Sequence, residues 1–371
     1  MRRLTMLACG LAVAGSTFLA APAHAQSSRH AVFVQLNGLA GNSVQAYQRA
    51  RNGTLTSAGR YATGGLGGAE VQATVDPLAS QGSLVYDAPH HRLYAVNAGS
   101  DTLTVFDVDG ARLTRRQVVG SGGAFPVSIA VRGDLLYALN AGADGSVQGF
   151  QITRAGLAPL SYAHRSLRLA NANPPVFISA PAQVGISPDA RHLVVTTKNH
   201  NTIDVFALDR DGRPHGDAVV TPTLTPVPFA FDFTRQGIVV TEVGTSAVTH
   251  YRLRADGTLT PLSSVADGQV ALCWIQALAG HLYGANAGSG TVSGFELGAT
   301  GRVTLAPRNG GVAARPGGAP IDMTATGGYL YVQNPGTGRI DGYRAAADGT
   351  LTPVTTVSGL PAPGMEGIAA S

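Results

Sequence analysis

The sequence predicts an all-β fold, a seven-bladed β-propeller with four antiparallel strands per blade, on three observations. One phrase returns seven times: an apolar strand, an Asn-Xaa-Gly turn or a polar substitute, then a second strand closing on an aromatic. The clearest copies run from Leu93 to Phe106, Leu136 to Phe150, Leu282 to Phe295 and Leu330 to Tyr343. Weaker copies run from Phe33 to Tyr47, Leu193 to Phe206 and Ile238 to Tyr251. The closing aromatics Tyr47, Phe106, Phe150, Phe206, Tyr251, Phe295 and Tyr343 stand 44 to 59 residues apart, the period of four short strands per repeat. Each copy is followed by a turn glycine: Asn52-Gly53, Asp109-Gly110, Gly156, Asp211-Gly212, Asp256-Gly257, Gly301 and Asp348-Gly349. These dipeptides supply the positive φ of a tight hairpin, so their Asp residues belong to the turns and not to catalysis.

In chain order, residues 1–25 read as a secretory signal peptide. Arg2 and Arg3 form a basic start, an apolar stretch runs from Leu4 to Ala21, and Ala23-His24-Ala25 is a small-Xaa-small cleavage site. Residues 26–371 read as a single propeller domain. The repeat around residue 130 gives the strand plan. Val127 to Val131 is innermost, Arg132-Gly133-Asp134 turns, Leu135 to Leu139 is second, Ser146 to Ile152 third, and Gly156 opens the fourth. The end, Met365-Glu366-Gly367-Ile368-Ala369-Ala370, resembles the innermost strand Ser128-Ile129-Ala130, whereas Ala31 to Leu36 resembles a second strand. The C-terminal strand is therefore expected to complete the N-terminal blade, since an open ring would leave sheet edges bare. The stretch from Tyr162 to Ala180 lengthens one crossing and is either a candidate lid or a spacer.

The formal charge of +4 falls to about +2 without Arg2 and Arg3, and Lys198 is the only lysine. Acidic and basic residues are interspersed, and no basic run with interleaved aromatics appears, so nucleic acid is not an expected partner. A single cysteine, Cys273, remains after cleavage and excludes an internal disulfide. Cleavage also leaves no membrane span. The expected location is periplasmic or secreted.

In such a ring the links from second to third strand, and from blade to blade, share one face, where ligands meet the axial channel. The second strands end there in Asn37, Asn97, Asn140, Thr197, Glu242, Asn286 and Asn334. An Asn at such a place caps its own turn; Glu242 breaks the pattern with a carboxylate. The innermost strands bring Gln183, Phe229, Trp274, Asp322 and Glu366 to the same mouth. Carboxylates beside aromatic surface suit a small-molecule ligand or an acid/base pair. Lys198-Asn199-His200-Asn201 lies on this face and reads as a solvated turn. His90-His91 lies in a turn on the opposite face without ligand spacing, and no metal or other cofactor is expected. No Gly-Xaa-Ser-Xaa-Gly elbow is present.

These features together resemble the seven-bladed lactonase family, which includes bacterial 6-phosphogluconolactonase and fungal carboxymuconate-lactonizing propellers. The carriers are the sevenfold repeat, the Ser187-Pro188-Asp189-Ala190-Arg191 turn, the Asp-Gly-Thr-Leu-Thr-Pro phrases at Asp256 and Asp348, and the Asn-Ala-Gly turns. The resemblance places a Pro-His-Xaa-His segment on Ser179-Ala180-Pro181-Ala182, an Asp on Thr197, and a Gly-Pro-Arg-His segment on Val227-Pro228-Phe229-Ala230. The resemblance also implies a Glu closing the second strand of the blade that this last segment opens, and it alone among these polar groups is retained, as Glu242. An Arg that would grip a carboxylate or phosphate has become Phe229, which directs the expectation to neutral lactones. The expected function is lactone hydrolysis with Glu242 as general base, Asp322 or Glu366 assisting, and Phe229, Trp274, Gln183, Thr197 and Lys198 binding substrate. The alternative is a non-catalytic propeller that binds a small molecule or a protein partner.

Overall fold

The computed structural model describes residues 30–362 and 364–371. The expected signal peptide, residues 1–25, lies outside them. The described chain forms seven antiparallel sheets, with strands taken in chain order from the axis outward in six of them. Blade one is the exception. Its inner strand, Ile368–Ala370, comes from the C-terminus and precedes Ala31–Gln35, Ser43–Arg49 and Leu55–Ala62. The register pairs Val32 with Ala370 and Val34 with Ile368. The expected closure is therefore present.

Blades two to seven begin with inner strands Leu84–Asp87, Pro126–Arg132, Pro181–Ile186, Pro228–Phe233, Leu272–Leu278 and Met323–Thr326. Blade six departs slightly from four strands. Its outermost position is shared by Val303–Leu305 and Val312–Ala314, both pairing with Thr291–Leu297. Pro307 lacks the N–H a ladder needs, and Gly310 and Gly311 take positive φ, so the strand breaks there.

Small β-branched and aromatic residues fill the second strands because both of their faces are covered by neighbouring blades. Tyr94, Tyr137, Tyr283 and Tyr331 are all buried. Three of them clamp the next blade at its Gly turn. Tyr137 OH donates to Gly212 O at 2.6 Å, Tyr283 OH to Gly349 O at 3.0 Å and Tyr331 OH to Gly53 O at 2.8 Å. The turn glycines answer two demands at once. Gly53 has φ +86°, and a Cβ there would stand 2.4 Å from the Tyr329 ring. Tyr331→Phe should therefore leave the Gly53 carbonyl unpaired and lower the unfolding free energy by about 1 kcal/mol, read from urea denaturation. An unchanged midpoint would mean that the clamp contributes nothing.

The second-strand Asn residues act differently from expectation. Asn97, Asn140 and Asn286 reach hydroxyls on the third strand, Asn334 reaches the Asp341 carboxylate there, and Asn37 holds the Gly68 backbone of the long connection. Asn97 Nδ2 donates to Thr102 Oγ1 at 3.1 Å and Thr104 Oγ1 at 2.9 Å. Asn286 Nδ2 repeats this with Thr291 and Ser293. No helix among the described residues is long and apolar enough to cross a membrane.

Candidate functional site at the ring axis

The blade connections differ in length, and one of them builds the site. Five residues separate Gly120 from Pro126, Pro222 from Pro228 and Ala266 from Leu272, whereas 21 separate Ala62 from Leu84. The end of this long connection turns inward and crosses the axis at the expected ligand face. Asp76 shapes the inward turn, accepting from Leu78 N at 3.2 Å and Ser80 N at 3.1 Å. Ser80 Oγ then donates to Val127 O in blade three. The Gln81 side-chain amide pairs with both backbone groups of Ile275 in blade six at 3.1 Å, and Gln81 N donates to Ala182 O in blade four. The expected channel mouth is filled by the chain itself.

Of the eight residues singled out in the sequence, four bond this plug and a fifth, Phe229, backs two of them. Lys198 Nζ donates to Ala79 O at 3.0 Å and to Glu70 Oε2 at 3.2 Å. Trp274 Nε1 donates to the next carbonyl, Ser80 O, at 2.9 Å. Glu366 Oε1 accepts from Leu78 N at 2.8 Å, and its side chain also bonds Asp76. Phe229 packs edge-on against Trp274 with ring centroids 5.1 Å apart, and its face lies 5.7 Å from Lys198 Nζ. Asp322 accepts from Met323 N at 2.8 Å and interacts with the Gly82 amide. The reading of Lys198 as part of a solvated turn is corrected: Lys198 and Glu70 are both 0 % exposed. Phe177, from the crossing read as either a candidate lid or a spacer, lies over Lys198 Nζ at 4.8 Å. The first part of that crossing, to Ser166, belongs to the fourth strand of blade three.

Burial dominates the electrostatics here. It pushes the Glu70 carboxyl up to about 8, against the pull of Lys198. Asp76 is raised by burial despite its bond to Glu366, and Glu366 is raised further by burial and by the charge of Asp76. Burial raises Asp322 to about 7, with Asp76 adding to the effect. Two carboxyls held together in a dry site share a proton rather than both ionise.

The other three singled-out residues stand apart from this cluster. Glu242 is buried in blade five and accepts from Thr225 N at 3.1 Å, Thr225 Oγ1 at 2.6 Å, Thr249 Oγ1 at 2.8 Å and the Tyr251 hydroxyl. Burial and the bond to Glu242 both raise the Tyr251 phenol, so it stays a donor. Thr197 Oγ1 bonds Thr202 within blade four. Gln183 bridges blades four and five through Phe231, with Phe231 N donating to Gln183 Oε1 at 2.7 Å. Cys273 is buried, and burial raises its thiol. His90 lies between Asp87 and Asp134 in the opposite-face turn. No cluster of His, Cys, Asp and Glu among the described residues has metal-site geometry.

Below the plug the axis is open. A cavity of about 210 Å³ runs between the inner strands of blades one, two, six and seven, and Gln81, Gln276 and Asp322 are its polar lining side chains together with Thr324 and Tyr86. Asp322 is the expected carboxyl that reaches open space. Glu70 and Asp76 were missed in the sequence. Their only signal is spacing: Tyr47 to Phe106 is the longest interval between closing aromatics, at 59 residues.

With this geometry in place, similarity to known proteins becomes informative. The family described as lactonase, 7-bladed beta-propeller, matches residues 166–273, which span blade four, blade five and the Cys273 end of the axis. The chain resembles the lactonase propellers. No curated protein sequence matches it. Solved structures extend the likeness over the whole ring. A Lactobacillus plantarum protein is 17% identical with a TM-score of 0.71, covering 92% of this chain and 99% of its own. A provisionally assigned 6-phosphogluconolactonase from Bacteroides fragilis is 18% identical with a TM-score of 0.67, covering 93% and 99%. The periplasmic gluconolactonase of Pseudomonas aeruginosa is 16% identical with a TM-score of 0.66, covering 90% and 97%. At such identities these structures share the fold with this chain.

Proposed function

We propose that this chain is an exported lactone hydrolase that opens a small neutral lactone at the ring axis. One observation carries the reading: an ammonium and an indole N–H converge on adjacent carbonyl oxygens beside a buried carboxyl. Lys198 Nζ and Trp274 Nε1 hold Ala79 O and Ser80 O at 3.0 and 2.9 Å, next to Glu366. A lactone carbonyl in place of the plug peptide would find the same donors. The lactonase match and the signal-like N-terminus support the class and the location.

The chemistry follows from those roles. Glu366 takes a proton from water, and the water oxygen attacks the lactone carbonyl carbon. Lys198 and Trp274 hold the oxygen that gains charge, in a site where few competing waters reach it. The ring C–O bond then breaks, and the leaving alkoxide takes a proton from a carboxyl, for which Asp322 with its value near 7 is suited. The product is a hydroxy acid, which releases a proton at neutral pH. Phe229 and Trp274 form the apolar wall. Phe229 offers no bidentate grip for a phosphate, which favours neutral substrates.

A pH-stat assay of residues 26–371 against neutral, carboxylated and phosphorylated lactones tests this. Proton release is expected with neutral lactones. Glu366→Gln should lower it by roughly 100-fold or more. Glu242→Gln should keep the rate and cost about 2 kcal/mol of stability, because its amide would face hydroxyl and N–H donors. A lost rate at unchanged stability in Glu242→Gln would move the base to Glu242. No release from any lactone would leave a binding propeller.

A further inference from the structure

The plug is built with features that a permanent structural element does not need. Between Glu70 and Asp76 the chain returns to solvent, with Val71, Gln72 and Thr74 exposed. Only the stretch from Asp76 onward enters the ring. Gly64 and Gly82 flank the segment at φ +85° each, a left-handed conformation that glycine adopts without strain and can leave as easily. Towards Lys198, Trp274 and Glu366 the plug presents two carbonyl oxygens, one N–H and one carboxyl, the groups of a small oxygen-rich ligand. Ser80 and Gln81 tie it separately to blades three, four and six.

Its seat carries an unbalanced charge set. Glu70 and Asp76 come from the plug segment itself. Lys198 faces them from blade four, Glu366 from the start of the closing strand, Asp322 from blade seven and Cys273 from blade six. Around the Asp76 turn stand four carboxyls, Glu70, Asp76, Glu366 and Asp322, against one ammonium. Fully ionised, they leave a buried excess of negative charge. With protons retained, the seat is close to neutral. Burial of uncompensated charge is costly, so ionisation works against the seated plug.

We propose that residues 76–82 form a releasable plug, an autoinhibitory peptide in the ligand seat, and that protons on Glu70, Asp76 and Glu366 hold it there. The proposal rests on the ring axis being the ligand site. The sign follows from linkage. The carboxyls bind protons more tightly in the seated state than in the open one, where their values return towards the ordinary 3.8 to 4.5. Seating is therefore strongest in acid and weakens as pH rises through about 8, where Glu70 is half ionised. The plug closes the site in acid and frees it in mild alkali.

Trp274 is the only tryptophan in the chain and donates directly to the plug, so its fluorescence reports seating without any substrate. Acrylamide quenching would be compared at pH 5 and pH 9, with circular dichroism confirming the β-fold at both. Quenching should be several-fold stronger at pH 9. Asp76→Asn should flatten that rise, and Glu70→Gln serves as a second variant should the first not fold. Weak quenching at both pH values with the fold intact overturns the plug, as does an equal rise in both variants. A chain that hydrolyses no lactone can still pass this test. A working hydrolase whose Trp274 stays shielded keeps its activity but loses the gate, and its lactone must then be opened elsewhere than beneath the plug.

Discussion

Removal of residues 364–371 should abolish the folded ring, giving a chain that aggregates or melts without cooperativity. The deleted segment supplies the innermost strand of blade one. Without it Ala31–Gln35, buried along its length, becomes an open edge at the axis. The ladder to Ile368–Ala370 goes, with the bonds Gln35 N to Gly367 O at 3.0 Å, Glu366 N to Gln35 O at 2.9 Å and Ala31 N to Ser371 Oγ at 2.8 Å. Met365, Ile368 and Ala369 leave the core. Their transfer alone is about 5 kcal/mol, and each lost backbone bond adds about 1 kcal/mol. That sum rivals the roughly 5–15 kcal/mol holding a typical domain together. Thermal melting followed by circular dichroism decides it. A truncated protein that melts at the parental temperature would mean that closure carries no stability.

Lys198→Met should lower the unfolding free energy by about 3 kcal/mol, and adding Glu70→Leu should restore most of that loss. The single change strips partners from Glu70 Oε2 and Ala79 O, both buried. Methionine fills the space beside Phe177 and Phe229 but offers no donor. Glu70 Oε1 already lacks a hydrogen-bond partner, so the whole carboxyl would be stranded. The double change removes the carboxyl together with the cation and leaves an apolar contact in their place. Urea denaturation of the four members of the cycle gives the coupling. A single variant within about 0.5 kcal/mol of the parent, the range of ordinary surface changes, would show that the pair is energetically idle.

Much of this protein is readable along the chain because the information is local. The repeat of Leu-Tyr and Asn-Ala-Gly phrases reflects a second strand buried on both faces. The Asp-Gly dipeptides answer a φ requirement within four residues. Glu366 and Ile368 were recognisable as an inner strand because the other blades supply the template. What those side chains do was less readable. Glu242 stands out as a carboxylate among amides, yet its surroundings are Thr249 and Tyr251 of its own blade and Thr225 of the link leading into it. Lys198 sits in a sequence that looks like a solvated turn and is fully buried.

Seven blades, the hairpin turns between third and fourth strands and the closure of the ring are legible along the chain, since each depends on neighbours in the chain or on the repeat. What occupies the axis is settled by the folded ring. Glu70 meets Lys198 across 128 residues, Ser80 meets Trp274 across 194 and Leu78 meets Glu366 across 288. No periodicity encodes those meetings. They exist because the ring brings all seven inner strands to one axis, where a single long connection can reach several blades at once.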